Sequence, residues 1–216
     1  MKNYLTLLSN RKHHVYGGIC VISLNGKIFT KVVKTEVYFN KIEKKDLTKE
    51  VLEDGLGKAG VIPTVKHLPG YGRASVDPHH ELPVVRESEN ILMQSDFLPF
   101  KLLADLPWGM TSHLLFPALD EQWPATLSKK IIGRIIRDWI GFNGLLVTDC
   151  LFMDALSGSI PERIQLCLSS GCDVALHSHG ELADLERAVE GLQPINDLSW
   201  ERWENSLEWV KERTTL

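Results

Sequence analysis

A chain of 216 residues with 44% hydrophobic and 24% charged residues can bury a sizeable core and has the balance of an ordinary globular protein. Its net charge of −4 argues against a nucleic-acid partner. No apolar run approaches the roughly 20 residues that a membrane-spanning helix needs, and Met1–Ser9 lacks a long apolar region and a small-residue cleavage site, so a cytoplasmic protein with no membrane partner is expected.

The charge is unevenly spread. Residues 1–45 hold nine Lys/Arg and two acidic residues, while the remainder holds 15 basic and 26 acidic residues, all ten prolines and all six tryptophans. Such a break in composition marks a boundary, and the expected division is an atypical segment 1–45 followed by a domain 46–216. Cys20, Cys150, Cys167 and Cys172 form no CxxC pair and no metal-finger spacing, which reads as buried free thiols in a reducing compartment.

In chain order, Gly18–Ser23 and Lys27–Tyr38 read as two strands of a hairpin turned at Asn25-Gly26. Asp46 and Thr48 can cap a helix running to Lys58, stopped by Gly60. Val61–Lys66 reads as a short buried strand, followed by a loop rich in Gly, Pro and His from His67 to Pro83. Helical spacing covers 88–104, then Gly109–Phe116 reads as a second strand. Ser128 caps a helix Lys129–Ile140 with an apolar stripe of Ile131, Ile132, Ile135, Ile136 and Trp139. Gly144–Thr148 is a third strand, Pro161 opens a helix ending near Ser170, Asp173–His177 is a fourth strand, and helices over about 181–191 and 199–213 close the chain. Strands of continuous apolar residues alternating with helices imply an α/β protein with a parallel sheet covered on both faces. Four βα units follow residue 60, in either a barrel or a doubly wound sheet.

Polar residues sit at the C-terminal ends of these strands, where such folds build their sites. Lys66-His67 opens the Pro69-Gly70-Tyr71-Gly72 loop, which either brings two polar heads to a ligand or is an ordinary glycine-rich connection. In Asp77-Pro78-His79 the carboxylate can reach the imidazole, fixing its tautomer for acid/base work, or the two form a surface ion pair. His80 reads as a solvated neighbour. Asp149, ending a buried strand, suits a nucleophile, a metal ligand or a structural cap. His113 is either a substrate contact or a satisfied core histidine. His177 and His179 have ligand-like spacing without a third partner nearby, and Trp200, Trp203 and Trp209 have the spacing of packing residues.

Taken together these motifs resemble one family. Gly60-Val-Ile-Pro-Thr-Val-Lys-His-Leu-Pro-Gly-Tyr-Gly, then Asp77-Pro-His79, is similar to the K-H-F-P-G-H-G…D-S-H signature of the glycoside hydrolase family 3 β-N-acetylhexosaminidases. Met110-Thr-Ser-His113, Phe116-Pro-Ala-Leu119, Pro124-Ala-Thr126, Gly141-Phe-Asn-Gly144, Thr148-Asp149-Cys-Leu-Phe-Met153 and Gly171-Cys-Asp173 follow in the family's order, so the likeness runs from about 48 to 195. The resemblance implies a TIM (β/α)₈ barrel, here partial and roughly its C-terminal half, in a family 3 N-terminal-type catalytic domain. It implies retaining hydrolysis of terminal β-linked N-acetylglucosamine, from muropeptides of peptidoglycan turnover, with Asp149 as nucleophile and His79, held by Asp77, as acid/base. Lys66, His67, His113 and Met153 would bind the sugar, a small carbohydrate substrate. No cofactor and no metal is implied.

The chain departs from the pattern in places. Tyr71 stands where the family has a second histidine, Pro78 where it has serine, and Cys150 where it has a second aspartate. The acidic segment and arginine that grip the sugar in the family are not found in residues 1–45. Two other readings follow: a sugar-binding remnant without catalysis, and a metal-dependent hydrolase using His67, Asp77, His79, His113 and Asp149. An incomplete barrel would also expose a strand edge, giving an expectation of self-association.

Overall fold

The computed structural model describes residues 12–22, 28–38, 55–178, 186, 188, 189 and 192–214. The chain divides into two compact units, Met1–Gly55 and Leu56–Leu216. In the first, β1 (Lys12–Ile22) and β2 (Ile28–Tyr38) pair antiparallel in unbroken register from Lys12↔Tyr38 to Ile22↔Ile28. The hairpin is as expected, but β1 starts at Lys12 rather than Gly18. The ladder is made by backbone groups and passes through Gly17 and Gly18 opposite Val33 and Val32. The expected turn at Asn25-Gly26 and the helix start at Asp46 and Thr48 lie outside the described residues.

The second unit is built on three parallel strands in the order β3-β4-β5: β3 (Thr64–Leu68), β4 (Trp108–Thr111) and β5 (Leu145–Val147). β3 begins three residues later than the sequence suggests because Pro63 has no N–H to give to a ladder. β5 is buried at every position, which explains its unbroken apolar run. Beyond it the expected fourth strand shrinks to one parallel bridge, Val147↔Val174. The Asp173 carboxylate and the Thr148 hydroxyl take the N–H groups of Leu146 and Leu176 that a regular ladder would pair.

The expected helix 88–104 is two pieces, α1 (Glu89–Gln94) and α2 (Leu98–Lys101). Pro99 would clash with the carbonyl four residues back in one continuous helix. The break lets Phe97 turn inward to meet Phe116 edge-on at 5.4 Å. A 3₁₀ turn (Ala125–Leu127) leads into a helix over Ile131–Trp139 with π-type bonding, seen where the Ile140 N–H reaches the Ile135 carbonyl at 2.8 Å. Ser128 caps it as expected, accepting the Ile131 N–H at 3.0 Å, and Ile131, Ile132, Ile135 and Ile136 are buried. α3 (Ile160–Ser170) starts at a Ser159/Glu162 capping box and stops at Gly171, whose φ of 112° suits only glycine. α4 (Asp197–Thr214) follows, and of the expected helix 181–191 only residues 186, 188 and 189 are described. Trp203 packs on Trp108 and Trp209 lies under the Arg213 guanidinium, but Trp200 is 49% exposed, contrary to the packing role its spacing suggested. Cys150, Cys167 and Cys172 are buried, and burial pushes the Cys167 thiol up to about 12.

One buried charge ties these elements together. The side chain of Asp173 is 2% exposed and accepts from Arg137 and Arg202, each at 2.7 Å, from the Ser199 hydroxyl at 2.6 Å and from the Leu146 N–H at 2.8 Å. The π-type helix, α4 and β5 therefore meet at one carboxylate. Removing one partner of a buried ion pair leaves uncompensated charge, so Asp173→Ala should lower stability by about 3–5 kcal/mol in urea denaturation.

Candidate active site

Parallel strands bring their C-terminal ends to one edge of the sheet, and the polar residues cluster there. The β3–β4 register slips between Lys66 and Leu68, leaving His67 in a bulge, a feature that re-aims a side chain. The Lys66–His67 and Leu68–Pro69 peptide bonds are both cis. From the bulge, His67 Nε2 approaches Asp149 Oδ2 at 3.3 Å, with the two side chains 28% and 19% exposed. Burial lowers the His67 pKa, Asp149 opposes this, and Lys66 adds to the lowering. Lys66 itself is exposed.

The chain after Asp149 is held by side chains directed at its backbone. Cys150 N–H donates to Asp149 Oδ1 at 2.8 Å. His113 Nε2 lies 2.9 Å from the Cys150 carbonyl, which can only accept, so Nε2 carries the proton. Burial lowers the His113 pKa, and its Nδ1 stands 2.8 Å from the Thr126 hydroxyl, which itself donates to the Ser112 carbonyl at 2.9 Å. Arg163 Nη1 donates to the carbonyls of Leu151 at 2.6 Å and Met153 at 3.2 Å. His113 is fully buried with both nitrogens engaged by protein groups. That arrangement is the satisfied core histidine of the two sequence alternatives. Met153 is also buried. Thr126 and Arg163 carry roles that no local pattern in the sequence announced, since each acts on a segment distant along the chain.

Asp77 and His79 pair as the D-x-H spacing suggested. Asp77 Oδ1 takes the His79 backbone N–H at 2.9 Å and stands 2.7 Å from Nδ1. The backbone hydrogen bond, then the ring hydrogen bond, hold the Asp77 carboxyl below its ordinary value. An ionised carboxylate leaves Nδ1 as donor and Nε2 as the nitrogen open to proton exchange. Both side chains are more than half exposed, at 59% and 66%, and His80 is exposed beside them. The Pro78 carbonyl accepts the Ala155 N–H at 3.2 Å, which joins this segment to the one following Asp149. Its approach is braced where Arg73 Nε meets Asp96 at 2.8 Å and where Gly70 lies so close to the Asp96 carbonyl that a Cβ would stand 2.9 Å from it. The Tyr71 ring lies 5.7 Å from that of His67.

His177 lies against Phe152 at 5.7 Å, and His179 is outside the described residues. Among the described residues no three or more His, Cys, Asp or Glu side chains are grouped to hold a metal ion. The five residues of the metal reading divide into two pairs and one buried ring. A cleft of about 620 Å³ against α3, lined by Trp123, Leu127, Gln165 and Leu166 among others, contains none of the site residues named from the sequence.

A sheet whose strand ends present His67 and Asp149, with the Asp77–His79 pair on the loop that follows β3, suits acid/base and nucleophilic chemistry on a small polar substrate. The chain belongs to the glycosyl hydrolase family 3 N terminal domain family, whose model matches residues 43–211. It is 32% identical over 159 residues to a beta-hexosaminidase of Bordetella pertussis, covering 72% of this chain and 45% of that protein. It is 39% identical over 131 residues to a beta-hexosaminidase of Chromobacterium violaceum, covering 59% and 36%. The chain thus spans less than half the length of either curated relative. Among solved structures it resembles NagZ from Neisseria gonorrhoeae in complex with N-trifluoroacetyl-D-glucosamine, with a TM-score of 0.64, 28% identity, and coverage of 77% and 50%. A family 3 beta-N-acetylglucosaminidase from Paenibacillus sp. matches with a TM-score of 0.61, 34% identity, and coverage of 73% and 32%.

The lowered pKa values of His67 and His113 set a sign for acid stability. Unfolded histidines take up protons as pH falls through their ordinary value of 6.5, while these folded ones do not until lower pH. Stability is therefore present above that value and lost below it, by up to about 1.4 kcal/mol per pH unit for each histidine. Thermal melts between pH 7.5 and 5 should show this fall, and His113→Gln should flatten it.

Proposed function

We propose that this domain hydrolyses terminal β-linked N-acetylglucosamine with retention of configuration, on muropeptide-type glycosides in a bacterial cytosol. Asp149 attacks the anomeric carbon while the glycosidic C–O bond breaks and His79 Nε2 gives its proton to the leaving oxygen. Water then attacks the same carbon, His79 takes its proton, and the Asp149 carboxylate is released. Asp77 holds the imidazole in the tautomer this needs, and Lys66 and His67 bind sugar hydroxyls at the exposed side of the site.

The observation that carries this reading is the approach of His67 to Asp149 at 3.3 Å, which joins the ends of β3 and β5 in one site. The Ala155–Pro78 hydrogen bond supports it by linking the Asp77–His79 segment to that site. The names of the relatives support the sugar. The strands β3 to β5 and the bridge at Val174 are read as part of a (β/α)₈ barrel, roughly its C-terminal half within residues 46–216, with self-association through an open strand edge.

Hydrolysis of an aryl N-acetyl-β-glucosaminide tests the assignment. Asp149→Ala should abolish turnover, and His79→Ala should lower it by about 10²–10⁴-fold. NMR of the first-formed product should show the β-anomer. Undiminished turnover in Asp149→Ala sinks the mechanism. Wild-type protein that binds N-acetylglucosamine without turnover would support a sugar-binding module in its place.

A further inference from the structure

One polar group at this site is left over by the proposed chemistry. The Tyr71 hydroxyl is buried and has no hydrogen-bond partner among the described residues. Its ring lies 5.7 Å from the His67 ring at a tilt of 56°, and Tyr71 packs partly buried against the core cluster. Its backbone is fixed, since Gly70 before it sits tight on the Asp96 carbonyl and the Tyr71 carbonyl accepts the Ala74 N–H at 3.1 Å. Burial first, then the charge of Asp149, then that of Asp77, raise its pKa beyond the ordinary phenol range. The phenol therefore sits within the fields of both carboxylates and stays a hydrogen-bond donor at any working pH. A buried donor without an acceptor is costly, and folded proteins rarely keep one unless something else fills it.

We propose that the Tyr71 O–H is a further sugar-contacting group, donating to an acceptor oxygen of the bound N-acetylglucosamine beside His67. The inference rests on the sugar reading given above. No pattern rule assigns this role to the residue: the sequence marked Tyr71 only as a departure from the family's histidine. A phenol carries its proton on a longer arm than an imidazole and cannot become a cation, so it adds a donor beside two carboxylates without adding charge. The ligand class is a neutral amino sugar with a hydroxyl or acetamido oxygen to offer.

The test compares wild-type protein with Tyr71→Phe, which keeps the ring and removes the hydroxyl. Binding of N-acetylglucosamine is measured by calorimetric titration, and thermal stability is measured without sugar. The expected result is binding weakened about tenfold, the worth of one hydrogen bond, with a melting temperature unchanged or raised because an unpartnered polar group has gone. Wild-type affinity in Tyr71→Phe overturns the proposal while leaving the sugar reading intact. A fall in both affinity and melting temperature also overturns it, since the hydroxyl would then have a partner in the free protein. Absence of sugar binding by the wild type sinks both.

Discussion

The carboxylate of Asp173 is the interaction on which the rest of this structure depends. A charge placed inside a protein is costly unless its oxygens are filled by donors. Here two guanidinium groups, one hydroxyl and one backbone N–H fill them, and the donors come from the π-type helix, α4 and β5. The N–H belongs to Leu146, in the middle of β5, and Asp149 stands just beyond the end of that strand. The network that grips the middle of β5 therefore also holds the strand from which Asp149 follows. Arg137 also donates to the carbonyls of Phe142 and Gly144, so the turn entering β5 is held by the same side chain.

At the strand ends the protein uses two kinds of support. The segment after Asp149 is held from within, by the His113 ring under the Cys150 carbonyl and by Arg163 on two further carbonyls. These donors fix backbone, so the position of Asp149 does not rely on its own side-chain contacts alone. The Asp77–His79 pair is held from outside, on an exposed loop, by a short hydrogen bond within the pair and one backbone bond to Ala155. That difference suits the proposed division of labour. A nucleophile needs a set position, whereas a group exchanging protons with a leaving oxygen and then with water needs an open face.

Much of this was legible along the chain. The hairpin, the capped isoleucine helix, α3 with its proline start and its end near Ser170, and the buried strand before Asp149 all follow from local spacing. The Asp77–His79 pair was legible too, because two residues of separation across a proline leave the carboxylate little other reach. The errors share a cause. The helix over 88–104 broke because Pro99 and the burial of Phe97 outweighed its apolar spacing, and the fourth strand shortened because side chains took the bonds of its ladder. Competition for backbone hydrogen bonds depends on what lies alongside, which periodicity does not contain.

By itself, then, the amino-acid sequence determined the order of strands and helices, the chemistry available at each strand end and the family, since each is carried by residues close together in the chain. The tertiary structure alone decided that His67 faces Asp149, that His113 lies buried beneath a carbonyl thirty-seven residues away, and that the Tyr71 hydroxyl has no partner among the described residues. Those outcomes depend on how parallel strands are registered, on one bulge in β3, and on which donors and acceptors the packed core brings within 3 Å of each other. Spacing along a chain does not encode such distances, because they arise only when separate segments exclude water together.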